Sequence, residues 1–267
     1  MFWRFMDEKH PRHEDGRKHP EVADAVFQVY RWMDEVVGKM AREMGPDDVL
    51  IVLSDHGFAP FRWEVNLNAW LRDQGYLFLK ETGKGHRFQI QDLYESRDMG
   101  SQCDWSRTKA YAMGLGKIWI NQVGREPQGI VPAGKPSEEL CREIRQKLLA
   151  WVHQGEKVVR EAYWRDTLYH GPYREEAPEL TLGFESGYRV SWQTTLGGVP
   201  EKQIEPNLLK WSADHCSVDP QLIPGVLFCN RKIANAQVHI QDLAPTLLSL
   251  FGVPLPEMDG TPIRWAK

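Results

Sequence analysis

The chain has little that would tie it to a membrane, a nucleic-acid backbone or an oxidising compartment. None of its 267 residues falls in an apolar run near the length of a bilayer span. Lysine and arginine number 33 against 37 acidic residues, a net charge of −4, and they form no block that could track a phosphate backbone. That excludes a dedicated nucleic-acid binder. Cysteine is scarce and scattered: Cys103, Cys141, Cys216 and Cys229 show none of the two-residue spacings of a zinc knuckle or redox motif. They read as reduced, mostly buried thiols of a cytoplasmic protein, with Cys216 set apart because it follows His215. No internal repeat is present. Hydrophobic residues at 42% and charged residues at 26% sit near globular averages, so fold class must come from pattern.

The pattern is α/β. Residues 21–44 carry Val22, Val26, Val29, Met33, Val36 and Met40 at alternating steps, an amphipathic helix whose stripe reads as core. Gly45-Pro46-Asp47-Asp48 ends it and leads into an apolar strand, Val49 to Leu53. Helix, tight turn and buried strand make half of a βαβ unit, whose first strand would lie before Met1. Asn66 to Gly75 reads as a short helix, Tyr76 to Leu79 as a strand and 81–102 as a surface loop. Lys109 to Met113 and Lys117 to Asn121 form a hairpin around Gly114-Leu115-Gly116. Ser137 opens a helix running to His153. The stretch 84–210 is a substrate-facing elaboration with a strand at Leu180 to Phe184, and Val226 to Cys229 is a short, buried, parallel strand. Asp242 caps a helix that tolerates Pro245 in its first turn and stops at Gly252.

The chemistry concentrates at Ser54-Asp55-His56-Gly57-Phe58, directly after the Val49 to Leu53 run. A carboxylate and an imidazole at the carboxyl end of a strand are two ligand types that zinc accepts, and Gly57 lets the backbone turn so that both face one site. The plainer alternative is a cap or a satisfied polar pair. His215, in the turn Trp211 to Cys216, is a ligand or a surface histidine, and Asp214 either orients it or stabilises the turn. Arg125 either meets a substrate phosphate or pairs with Glu126. Asn68, Trp63 and Tyr188 line a pocket or pack. His10, His13 and His19 lie in a polar, proline-punctuated opening that reads as solvated.

Several words of the chain, spread from end to end, carry a resemblance. They are Phe2-Trp3-Arg4 with His10-Pro11, Ser54 to Phe58, Asn66-Leu67-Asn68, Gly124 to Pro127, Asp214-His215, Asp242 to Thr246, and Phe251 to Pro254. In these the chain resembles the type I phosphodiesterase and nucleotide pyrophosphatase branch of the alkaline phosphatase superfamily. The resemblance implies a mostly parallel sheet flanked by helices, incomplete on its N-terminal side, with residues 1–267 forming the C-terminal portion of one catalytic domain. It also implies two divalent metal ions, zinc by preference, a small phosphate ester or nucleotide as substrate, and metal ligation by Asp55, His56 and His215. The family's metal-binding aspartate, its Thr or Ser nucleophile and an Asp-to-His step of four precede the Phe-Trp-Arg word, so they would lie upstream of Met1. The isolated chain is therefore expected to be inactive, and to leave uncovered the strand face that those segments would bury. Relatives of the same superfamily act as phosphomonoesterases, sulfatases, phosphonate hydrolases or phosphoglycerate mutases, so the reaction can change while the site stays. The family usually has glycine where Ala213 stands.

Overall fold

The computed structural model describes residues 1–80, 101–234 and 237–266, so the greater part of the expected 81–102 loop lies outside the described residues. These form a mixed α/β protein of two compact units, one of 1–25 with 58–223 and one of 26–57 with 224–267.

The first unit is built on two sheets. In one, Ala59–Val65 pairs antiparallel with Ile204–Pro206, antiparallel with Ala213–Asp214 near its start, and parallel with Gly187–Val190. In the other, Ala110–Ala112, Lys117–Ile120, Leu180–Phe184 and Val159–Trp164 follow one another as antiparallel neighbours. The hairpin and the Leu180 to Phe184 strand stand where the sequence placed them. Helix Lys135–Leu149 lies on Val159–Trp164, and helix Leu67–Asp73 on Ala110–Ala112. Apolar residues at helical spacing, Cys141, Ile144 and Leu148, meet alternate strand residues Ile118, Ile120, Leu180 and Leu182 in one core.

Two local expectations give way here. The helix that was to open at Ser137 begins at Lys135, with Pro136 in its first turn; Ser137 is buried inside it and caps nothing, because proline at the start already fixes the helical φ. It ends at Leu149, and Val152–His153 turns back as a strand onto Glu156–Lys157 through Gln154 and Gly155, both left-handed. Tyr76 to Leu79 is not a strand. Tyr76 and Leu77 are buried core residues, and only Leu79 makes a lone bridge, to Cys103.

The N-terminal segment is anchored rather than solvated. Arg62 makes a bidentate pair with Asp7 at 2.7 Å, and Arg4 N–H donates to Ser212 Oγ at 3.0 Å. Buried His10 places Nε2 3.0 Å from the Phe61 carbonyl and accepts the Arg12 N–H on Nδ1. Burial lowers its pKa, so it is held neutral. Of the three N-terminal histidines, His19 alone is well exposed.

In the second unit Ile51–Leu53 pairs with Leu227–Cys229, and the pairing is antiparallel. With the first unit's sheets this corrects the expectation of a mostly parallel sheet: among the described residues the named strands pair in parallel only at Ala59–Val65 with Gly187–Val190. A short apolar run states that a strand is buried on some face and carries no information about the direction of its partner. Helix Leu243–Leu250 follows a 3₁₀ turn, Ile240–Asp242, and stops at left-handed Gly252. The Asp242 carboxylate accepts N–H bonds from His239 at 2.8 Å and from Thr261 at 2.9 Å, so it caps the 3₁₀ turn and fastens the C-terminal segment.

The amphipathic stripe is the largest departure. Helix Ala25–Glu43 has no buried residue, and Val29, Met33, Val36 and Met40 are each about half exposed. Leu53, Val226, Phe228 and Leu247 of the same unit are exposed as well. Periodicity specifies which face is apolar and leaves open what covers it. Alanine at Met33 or Val36 is therefore expected to change stability by no more than about 0.5 kcal/mol. Alanine at Ile144 or Leu148 should remove about 2–5 kcal/mol. Urea midpoints of the four variants measure this, and a core-sized loss at Met33 would restore the buried stripe.

Candidate metal centre

Ser54 fixes the approach to the first pair of candidate ligands. Its N–H donates to the Val226 carbonyl and its Oγ accepts the Val226 N–H, both at 3.0 Å. Gly225 packs so closely on this turn that a Cβ there would stand 2.4 Å from the Ser54 carbonyl oxygen, so only glycine admits the approach. Past Ser54 the pairing ends, and Asp55 projects outward on a cleft of about 270 Å³ whose lining includes Leu53, Gly225, Val226, His239 and Leu243.

Asp55 and His56 form a donor pair. The His56 Nδ1–H donates to the Gly57 carbonyl at 2.8 Å, which fixes the tautomer and presents Nε2 as the lone-pair nitrogen. Nε2 lies 3.5 Å from Asp55 Oδ2. A tetrahedral ion with zinc-like bonds to one nitrogen and one oxygen spans a donor edge of about 3.4 Å, so the pair fits a divalent metal without rearrangement. Gly57 contributes its carbonyl; its φ is not in the left-handed region.

His215 stands in the first unit, in the turn that follows the Ala213–Asp214 strand. Asp214 lies opposite Ala59 in the sheet, and the Phe58 ring meets the His215 imidazole edge-on at 5.5 Å. Ala213 is buried in extended backbone, so glycine is not required there; the left-handed residue of the turn is Ser217. The Asp214 Oδ1 accepts the N–H groups of His215 at 2.8 Å and Cys216 at 3.1 Å, and lies 3.6 Å from His215 Nδ1. Its Oδ2 pairs with Arg189 Nε at 2.7 Å. Burial raises the Asp214 pKa, but the Cys216 N–H and the Arg189 charge outweigh it and hold the carboxyl below its ordinary value. Asp214, His215 and Cys216 bring donor atoms within 4.8 Å of one another.

The other residues singled out in the sequence have defined places. Each nitrogen of the Arg125 guanidinium is engaged: Nε with Glu126 at 2.8 Å, Nη1 with Glu179, and Nη2 with the Ile120 carbonyl at 2.7 Å. Buried Asn68 donates to the carbonyls of Ala112 and Gly198 and accepts the Ala112 N–H, cross-linking backbone. Trp63 and Tyr188 flank His153 edge-on, with Tyr188 Oη 3.1 Å from His153 Nδ1, and they line a cleft of about 750 Å³ with Arg62, Lys157 and Glu185. Cys103 and Cys141 are buried, whereas Cys216 and Cys229 are half-buried.

Sequence reading passed over two residues that organise these regions. Glu179 joins Arg125 to Arg165, and Arg189, 1% exposed, holds Asp214. The one signal for Arg189 was a charge inside the apolar strand Gly187–Val190.

No curated protein matches this chain. A family model described as type I phosphodiesterase / nucleotide pyrophosphatase matches residues 2–203, a stretch that holds Asp55, His56, Asn68 and Arg125 and ends before His215. That match covers most of the chain, which belongs to the type I phosphodiesterase/nucleotide pyrophosphatase family of the alkaline phosphatase superfamily.

Proposed function

We propose that this protein is the metal-binding portion of a phosphodiesterase or nucleotide pyrophosphatase that works with two zinc ions. The family acts on small phosphate esters or nucleotides and is generally metal-dependent, and among the described residues no helix is long and apolar enough to cross a membrane. The observation that carries the reading to particular residues is the Asp55–His56 pair, whose donor spacing and tautomer suit a divalent ion. His215 supplies the ligand for the second ion. Its support is the Asp214-His215 word that the chain shares with the family.

In this reading the chain's residues hold and orient. Asp55 neutralises positive charge at the site, and the Gly57 carbonyl, by accepting from Nδ1–H, orients the His56 ring so that Nε2 is the nitrogen presented. A bound ion would polarise phosphoryl oxygens and lower the pKa of an attacking hydroxyl. The Thr or Ser nucleophile belongs to a family word with no match among these residues. We place it, with the remaining ligands, outside the 267 residues, in an alkaline-phosphatase-like domain of which they form the C-terminal portion. The half-exposed apolar stripe of Ala25–Glu43 agrees with that assignment and favours an inactive isolated chain.

The test is hydrolysis of bis(p-nitrophenyl) phosphate by the longer polypeptide, beside a phosphomonoester and a sulfate ester. Chelation should abolish diester hydrolysis and zinc should restore it. Faster turnover of the monoester or sulfate would replace the diesterase assignment with one of the related activities, and activity indifferent to chelation would end the metal reading.

A further inference from the structure

The cleft of about 750 Å³ lies wholly within the first unit, and none of Asp55, His56 and His215 lines it. Stretches of chain far apart in sequence converge on it: Lys9, Arg62 with Trp63, the turn from Gln154 to Lys157, and the turn from Glu185 to Tyr188. Its volume falls among the roughly 300–1,000 Å³ of small-molecule sites.

The backbone departs from regularity to build this lining. Phe61 lies opposite Gly187 and Trp63 opposite Tyr188, so Arg62 is an extra residue in the pairing of the two strands. Successive strand side chains ordinarily point to opposite faces, and a bulge re-aims one of them; here Arg62 and Trp63 both reach the cleft. Gln154, in the same lining, is held left-handed at φ 53°, and among the described residues Ser217 is the one other non-glycine in that region. Such residues persist where the surroundings impose them, and they gather at ligand sites.

The lining combines aromatic surface with positive charge. Arg62 engages Asp7 through Nε and Nη2, while Nη1 lies outside that pair, on the side of Gly187. Lys9 and Lys157 are exposed, and among the described residues neither makes an ion pair. Of the two acids in the lining, Glu185 faces Arg160 at 3.4 Å, which leaves Glu156 unpaired. With the ion-paired groups neutral, two lysines against one glutamate leave an excess of one positive charge. His153, edge-on to Trp63 and Tyr188, adds none, because burial lowers its pKa.

We propose that this cleft binds a ring-bearing organic anion of single charge, with the ring against the indole of Trp63 and the anionic group on Lys9, Lys157 and Arg62 Nη1. Ammonium and guanidinium donors both make their strongest hydrogen bonds to such anions, and a neutral ring would leave the excess charge unanswered. A planar carboxylate and a tetrahedral sulfonate share this chemistry. The site is separate from the metal centre and does not depend on it.

The test uses the 267-residue chain stripped of metal by chelation, so that its outcome is distinct from that of the metal reading. The Trp63 indole N–H, assigned by through-bond NMR, is followed during titration with naphthoate and naphthalenesulfonate, with naphthol as a ring without charge, and with acetate as a charge without a ring. We expect a saturable shift with at least one of the two ringed anions, the tighter of them defining the shape of the anionic group. Replacing both lysines, Lys9→Gln with Lys157→Gln, should weaken that binding about fivefold or more. Because both are exposed and unpaired, the urea midpoint should not move. Absence of a saturable shift up to about 10 mM of either ringed anion overturns the proposal. So does equal affinity for naphthol or acetate, or binding indifferent to the loss of both lysines.

Discussion

Glu179→Ala lowers stability by about 3–5 kcal/mol, the cost of removing one partner from a buried ion pair. The Glu179 carboxylate lies between Arg125 and Arg165, each with a nitrogen within 3.2 Å, and accepts the Ile120 N–H at 2.8 Å. All of this sits against the second sheet, where Ile118, Ile120 and Leu180 are fully buried. Alanine leaves two half-sequestered guanidinium groups facing each other and a buried N–H without an acceptor. Glu179→Gln should lose less, because the amide oxygen can still take the Ile120 N–H. Urea unfolding of the pair decides the matter: a loss below about 1 kcal/mol for alanine would mean that the network behaves as a solvated surface pair. The same geometry bears on Arg125, whose three nitrogens are all engaged within the protein.

His56→Ala is expected to reduce kcat/KM for a phosphodiester by more than the roughly 10–100-fold that loss of an outer-shell partner costs, since His56 is placed as a ligand itself. Its effect on stability should be small. Asp55 is well exposed, and the His56 side chain's bond to the Gly57 carbonyl lies within the turn. Steady-state kinetics of the metal-loaded enzyme, with bound zinc quantified, separates ligand loss from misfolding. Folded His56→Ala with full zinc content and unchanged kcat/KM would remove this residue from the site.

How much of this was legible in the sequence depends on whether the physics was local. Gly252 after an apolar helix and the paired runs around Gly114-Leu115-Gly116 are statements about backbone dihedrals within a few residues, and the structure agrees with them. The direction of strand pairing was not legible. Ile51–Leu53 meets Leu227–Cys229 across more than half the chain, and nothing in either tripeptide encodes an antiparallel partner. For the same reason the stripe of Ala25–Glu43 gave the apolar face and misjudged its burial.

The candidate site divides along the same line. Asp55, His56 and His215 stood out because their residue types and neighbours carry ligand chemistry in sequence. Arg189 and Glu179 did not, because each acts through partners brought to it by the fold: Asp214 by the sheet around Ala59–Val65, and Arg125 and Arg165 by the antiparallel strands and the segments that leave them. Ala213 shows the converse. Its departure from the family's glycine matters little once its backbone is seen to be extended, with the left-handed position at Ser217.

The measurement that bears most directly on the proposed centre is a zinc-edge anomalous difference map from metal-soaked crystals of the protein. One ion should be bonded to the Asp55 carboxylate and His56 Nε2, and a second to His215 Nε2. Zinc bound only at other residues, or no anomalous density beside Asp55, His56 and His215 at saturating zinc, would contradict it.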